Sequence, residues 1–238
     1  MNKKTYSSWS ELEYAKLKEM GIVGPVEFAL KRKTMQIIKS ISMNEGERII
    51  DVGCGSGDLL KEGWIGLDVD REPLAKIQNT CVQGDICHLP FVEGAFDKVV
   101  ASYCLEHVEE DMLAIQEIYR ILRKDGIALI EVPYNPRLWS AKDELCRHFR
   151  RYDDAFIDTV KGCGFKILKK RLYGRGLLYY YWNIRNKLSS TDSGLYLPPS
   201  WLLKLIRLSS PIINRILYYG MYLPFGTKLF LSCVAQKA

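Results

Sequence analysis

Residues 51–57 read Asp-Val-Gly-Cys-Gly-Ser-Gly and follow directly on a short apolar run. Gly53, Gly55 and Gly57 are spaced so that the backbone can turn sharply and let a ligand lie against it. The next two apolar runs, Trp64–Asp68 and Thr80–Asp85, each end in an acid. Counting the run before the glycines as the first strand, a carboxylate at the end of the second can accept both hydroxyls of a ribose. One at the third can accept the amine of an adenine ring. No Gly-Lys-Ser or Gly-Lys-Thr follows the glycines, which excludes a Walker A loop, and Asp58 stands where a dinucleotide fingerprint wants its last small residue. Asp68 also comes too soon after Gly57 for a full dinucleotide unit. The pattern fits an adenosyl ligand without a pyrophosphate.

Three histidines are candidates for a general base: His88, His107 and His148. His88 follows the third run and reads as structural. His107 lies in Leu-Glu-His-Val after the fourth. His148 is flanked by Arg147, Arg150, Arg151 and Tyr152, and arginine forks grip carboxylates and phosphates in pairs. That cluster suits the orientation of an anionic group. Glu106 and His107 alone are too few hard ligands for a divalent ion, so no metal is expected.

The elements that must carry these groups alternate. Stretches 8–20 and 25–41 have helical spacing. Strands are expected over 48–52, 64–68, 80–85, 96–102, 127–132, 165–172 and 228–235. Helices are expected over 113–122, closed by Lys124-Asp125-Gly126, and over 155–161. Asp70, before Arg71-Glu72-Pro73, suits a helix N-cap. Strands alternating with helices argue for a parallel α/β sheet. Only Asp58–Gly63 separate the glycine loop from the second strand, under two helical turns. Residues 1–41 are therefore expected to help close the site, with Tyr6, Trp9 and Tyr14 as candidates.

Charge divides the chain. Residues 161–238 hold 13 basic residues against one acid, Asp192, and 13 of the 27 aromatics. A basic, aromatic-rich end on an acidic body suits an anionic partner, although a solvated face has the same composition. The seven cysteines form no Cys-x-x-Cys pair, which argues against a zinc site or a disulfide framework and for a reducing, cytoplasmic setting. The N-terminus lacks the apolar run of a secretory signal, and no charge-free stretch reaches the roughly 18–20 residues of a spanning helix.

Taken together, the stretches at 51–57, 66–70 (GLDVD), 84–91 (GDICHLPF), 96–108 (FDKVVASYCLEHV) and 117–133 (EIYRILRKDGIALIEVP) resemble a class I S-adenosylmethionine-dependent methyltransferase of the group acting on small molecules and lipids. The resemblance implies a Rossmann-like α/β fold: a seven-stranded, mostly parallel sheet with an antiparallel last strand and helices on both faces. It divides the chain into N-terminal helices capping the site (1–44), a cofactor-binding core (45–173), a basic aromatic insertion facing substrate or membrane (174–226) and a final core strand (227–238).

The cofactor implied is S-adenosyl-L-methionine, left as S-adenosyl-L-homocysteine after transfer. Asp51 and the backbone of Gly53, Gly55 and Gly57 would hold its methionine end, although Asp51 also reads as a loop orienter. Asp68 would take the ribose, with Val69 against the adenine. Asp85 would take the adenine amine, with Ile86 flanking the ring, and Ser102 and Tyr103 would line the site near the methyl. His107, His148 and Tyr103 are the candidate catalytic residues, since a hydroxyl acceptor benefits from a base. Relatives that use a metal carry Glu-x-x-Glu-His after the fourth strand; here Tyr103 replaces the first Glu.

The acceptor is expected to be a small molecule or a lipid-linked anion, with peripheral membrane contact through 174–226. A nucleic-acid methyltransferase and a non-catalytic binding protein of the same fold are the alternatives.

Overall fold

A computed structural model describes residues 24–41, 46–139, 143–144, 146–173 and 228–238. The helix expected over 8–20, the residues Tyr6, Trp9 and Tyr14, and the whole of the 174–226 insertion lie outside the described residues.

The first described element is helix α1 (Gly24–Ser40). It is followed by strands β1 (Ile49–Val52) and β2 (Ile65–Asp68), the single-turn helix α2 (Arg71–Leu74), β3 (Thr80–Gln83) and β4 (Phe96–Ser102). Helix α3 (Asp111–Ile121), β5 (Leu122–Pro133), α4 (Ala155–Gly162), β6 (Phe165–Tyr173) and β7 (Phe230–Lys237) complete the order. The seven strands form one sheet in the order β3-β2-β1-β4-β5-β7-β6. The β3-β2-β1-β4-β5 ladders are parallel. The last strand, β7, inserts antiparallel between β5 and β6.

Side chains alternate across these strands and feed two cores. On one face Val99, Ala101, Ala128, Ile130, Leu231 and Cys233 pack under Ile115 and Ile118 of α3 and Phe156 and Val160 of α4. On the other, Val100, Leu129, Val234 and Tyr173 meet Ile37 and Ile38 of α1. Both faces are covered, so β1 reads as an unbroken buried run rather than an alternating one.

Two expectations change. Lys124-Asp125-Gly126 does not simply close a helix, and β5 does not begin at Ile127. Helix α3 stops at Ile121, and β5 starts at Leu122, which pairs with Phe96, before Ile127 pairs with Lys98. The surplus residues form an irregularity in which Asp125 takes φ +60°. It fits because Arg123 reaches back to Asp97 at 2.5 Å. The stretch 58–63 forms turns, as its length required.

Strand order reverses between β1 and β4: the chain runs outward from β1 to β3, then returns to the other side of β1. A crevice at the carboxyl ends of the strands beside such a switch point is where ligands settle in open α/β sheets.

Candidate active site

The glycine loop leaves β1 at that point. Gly53 and Cys54 both donate their amides to the Leu67 carbonyl, at 2.7 and 3.0 Å, and Gly55 donates to Asp68 Oδ2 at 2.8 Å. The loop is thus pinned to the end of β2. Gly53 has φ +71°, and a Cβ there would lie 2.4 Å from Cys104 Cβ. Glycine lets the segment after β4 close against the loop. That contact sets Ser102, Tyr103 and Cys104 beside it.

Asp68 Oδ1 also accepts from the Asp70 amide at 2.9 Å, and Asp70 in turn caps α2 through the Glu72 amide at 3.2 Å. Asp85 accepts from the Cys87 amide at 2.8 Å. Both acids are part-exposed or exposed and retain lone pairs for a ligand. Val69 is 67% exposed, an apolar side chain facing outward at a strand end. Ile86 differs from Val69, because its side chain sits in the main core and leaves only its backbone to flank a ligand.

Asp51 is almost fully buried, and its Oδ2 has no hydrogen-bond partner among the described residues. Burial raises its pKa to about 8, with the charges of Asp68 and Glu131 adding to the effect. A cationic ligand group would relieve that environment. The orphaned acid, the glycine cradle and the two strand-end acids therefore fit a positively charged adenosyl cofactor.

Past β4 the chain strains. Tyr103 takes φ +56°, a rare conformation for a bulky residue, and its amide donates to the Glu131 carbonyl at 2.9 Å. Its hydroxyl lies 2.6 Å from that of Tyr173, which donates to Glu131 Oε1 at 2.5 Å. Ser102 Oγ donates to Glu131 Oε2 at 3.0 Å. Glu131 is fully buried, and burial raises its pKa despite the hydroxyls of Thr34, Tyr173 and Ser102. Glu131 and Tyr173 were not singled out from sequence. The available signal was an acid between apolar neighbours in Ile-Ala-Leu-Ile-Glu-Val.

The fold brings His107 and His148 together, with ring centroids 4.7 Å apart and nearly perpendicular. His148 Nδ1 lies 3.0 Å from Asp143 Oδ1, and His107 hydrogen-bonds the Cys146 backbone. Desolvation, and then the neighbouring His148, lowers the His107 pKa to about 4. Glu106, His107 and His148 bring three donor atoms within 4.8 Å of one another, a group that could hold a metal ion. The sequence count of two ligands missed the third because it comes from a segment 41 positions along the chain.

Two of the three arginines read as anion-binding candidates, Arg150 and Arg151, are engaged within the protein. Arg150 donates to Asp111 at 2.9 Å and to the Glu109 carbonyl at 2.6 Å. Arg151 donates to Asp143 at 2.8 Å. Tyr152 donates to Asp111 Oδ2 at 2.9 Å. His88 lies 3.4 Å from Asp85, at the edge of the site.

Residues 50–130 match a family model described as a methyltransferase domain. A demethylmenaquinone methyltransferase of Lactobacillus johnsonii is 28% identical over 152 residues, which is 53% of this chain and 62% of that protein. A chloroplastic 2-methyl-6-phytyl-1,4-hydroquinone methyltransferase of Oryza sativa is 28% identical over 144 residues, 53% of this chain and 41% of that one. The chain thus covers less than two thirds of either relative. A solved S-adenosylmethionine-dependent methyltransferase of Thermotoga maritima superposes with a TM-score of 0.59 at 16% identity, covering 95% of each chain.

Proposed function

We propose that the chain is a class I methyltransferase and that it transfers a methyl group from S-adenosylmethionine to a small-molecule acceptor of the hydroquinone or lipid-linked ring class. The observation that carries the reading is the glycine loop latched to Asp68 beside the switch point, with the orphaned Asp51 beneath it. In this reading Asp51 and the Gly53–Gly57 backbone hold the methionine end. Asp68 holds the ribose, and Val69, Asp85 and the Ile86 backbone hold the adenine. When bound, the cofactor supplies an electrophilic methyl on a sulfonium whose sulfur leaves neutral. The protein then has no leaving group to protonate. Its remaining tasks are to align the acceptor in line and to receive the acceptor's proton. Tyr103, His107 and His148 are the residues proposed around that acceptor.

The relatives' names, which specify a menaquinone and a phytyl hydroquinone, support an acceptor with an apolar tail. The basic, aromatic composition of 174–226 supports reaching such an acceptor at a lipid surface from the cytoplasm. No helix among the described residues is long and apolar enough to cross a membrane.

Calorimetric titration with S-adenosylmethionine and S-adenosylhomocysteine tests the cofactor site. Binding of both, lost in Asp68→Ala, is expected; no binding to the wild type would overturn the reading. Sedimentation with anionic phospholipid vesicles tests the surface. Salt-sensitive co-sedimentation is expected, and its absence would leave a soluble acceptor as the better reading.

A further inference from the structure

We propose that Tyr103, Tyr173 and Glu131 form a proton relay that carries the proton released by the methyl acceptor into the protein interior. The proposal rests on the methyl-transfer reading and adds the destination of the proton.

The hydrogen-bond directions argue for it. Tyr173 has one hydroxyl proton, which it gives to Glu131 Oε1 at 2.5 Å. With Glu131 ionised and taking the Tyr173 proton, the 2.6 Å contact between the two tyrosine oxygens is filled by the Tyr103 proton. Every donor therefore points toward Glu131, and the Tyr103 oxygen is left with its lone pairs. Tyr103 alone of the three is part-exposed, whereas Tyr173 and Glu131 are buried. An acceptor hydroxyl that reaches the Tyr103 oxygen would meet a hydrogen-bond acceptor, not a donor.

The placement agrees. Ser102 of β4 pairs in register with Glu131 of β5, and Cys104 packs on Gly53, so Tyr103 lies between the glycine loop and the buried acid. Its φ of +56° is strained for an aromatic residue and is held by its amide bond to the Glu131 carbonyl. Burying a carboxylate is costly, and an apolar residue would serve the sheet better. A raised pKa makes Glu131 a stronger base than a solvent-exposed carboxylate. The charged and titratable groups facing it are Lys33 on α1 and Asp51 on β1, with Glu106 beside Tyr103.

The acceptor oxygen forms a bond to the methyl carbon as the carbon–sulfur bond breaks and its electron pair stays on sulfur. The acceptor's proton moves to the Tyr103 oxygen, the Tyr103 proton to Tyr173, and the Tyr173 proton to Glu131. Neither tyrosine need ionise, which suits two phenols whose pKa values burial pushes well above the usual range. After product leaves, the same path returns the proton to solvent.

The test is an infrared pH titration of the full chain without cofactor, following the carboxyl stretch of the wild type, Glu131→Gln, Tyr173→Phe and Tyr103→Phe. A buried carboxyl band absent from Glu131→Gln is expected. Its titration midpoint should move up in Tyr173→Phe, and by a smaller but measurable amount in Tyr103→Phe, because each loses a link that stabilises the carboxylate. A Tyr103→Phe titration identical to wild type would overturn the relay. A second arm uses 1,4-naphthohydroquinone as probe acceptor with S-adenosylmethionine. In that arm Glu131→Gln should lose about 10²–10⁴-fold in kcat while still binding S-adenosylhomocysteine and unfolding cooperatively. A full-rate Glu131→Gln would overturn the relay. Failure of the wild type to bind cofactor would instead overturn the methyl-transfer reading.

Discussion

The Gly55 amide donates to Asp68 Oδ2 at 2.8 Å, so the residue proposed to hold the ribose also holds the loop that faces the methionine end. Its other oxygen takes the Asp70 amide at 2.9 Å. One side chain thus shapes two walls of the crevice. Asparagine at position 68 keeps one acceptor but turns an amide N–H toward a second donor. Hydrogen bonds to a charged group contribute roughly 1.5–3 kcal/mol. Asp68→Asn should therefore weaken S-adenosylhomocysteine binding by about tenfold or more, nearly as much as Asp68→Ala. Calorimetric affinities for the two variants check this; an Asn variant that binds as wild type would show that the charge is dispensable.

Gly53 and Gly55 share a positive φ but not the same surroundings. At Gly53 a Cβ would lie 2.4 Å from Cys104 Cβ, while at Gly55 nothing lies within 4 Å. Gly55→Ala should cost only the backbone term, about 1–2 kcal/mol. Gly53→Ala adds overpacking of roughly 1–3 kcal/mol and pushes the post-β4 segment off the loop. Thermal denaturation should rank Gly53→Ala clearly below Gly55→Ala, and equal midpoints would contradict the packing argument.

How far the sequence reveals this site depends on whether a residue acts locally. Gly53, Asp68 and Asp70 each stand at or just past the end of a short apolar run, so their local setting alone exposes them. The strands are legible because buried parallel strands are short apolar runs. The start of β5 is not, because Leu122 pairs with Phe96 across an irregularity that no local pattern announces. Glu131 and Tyr173 are 42 positions apart and meet only once β5, β7 and β6 are assembled. Arg150 and Arg151 mislead for the same reason, since their partners Asp111 and Asp143 are remote or unremarkable in sequence.

Asp51 gives a pH dependence with a definite sign. Its folded pKa, raised to about 8, lies above the ordinary carboxylate value near 3.9. The folded state therefore holds a proton that the unfolded state has released across that window. Stability from this group is full below about pH 4 and is lost as pH rises toward 8. The thermal midpoint without cofactor should fall over this range, and Asp51→Asn should flatten the fall. Binding a sulfonium should also expel the proton. Titration at neutral pH in buffers of different ionisation enthalpy should detect proton release with S-adenosylmethionine and none in Asp51→Asn. Equal release in the variant would assign the proton elsewhere.

Asp143 is wholly buried, and one of its oxygens receives both Arg151 at 2.8 Å and His148 at 3.0 Å. The arrangement ties the segment around 146–151 to the chain after β5, where Arg151 also donates to the Tyr134 carbonyl at 3.3 Å. Removing the carboxylate leaves a nearly buried guanidinium without its counter-charge, a loss of about 3–5 kcal/mol. Asp143→Ala should accordingly lower the thermal midpoint strongly. Arg150→Ala breaks only a half-exposed pair and should cost about 1 kcal/mol or less. Both variants should retain cofactor affinity wherever they remain folded, because neither side chain touches the glycine loop, Asp68 or Asp85. If Arg150→Ala instead weakened S-adenosylhomocysteine binding at unchanged stability, the guanidinium would be a ligand group, and its bond to Asp111 would be a resting contact that the cofactor displaces.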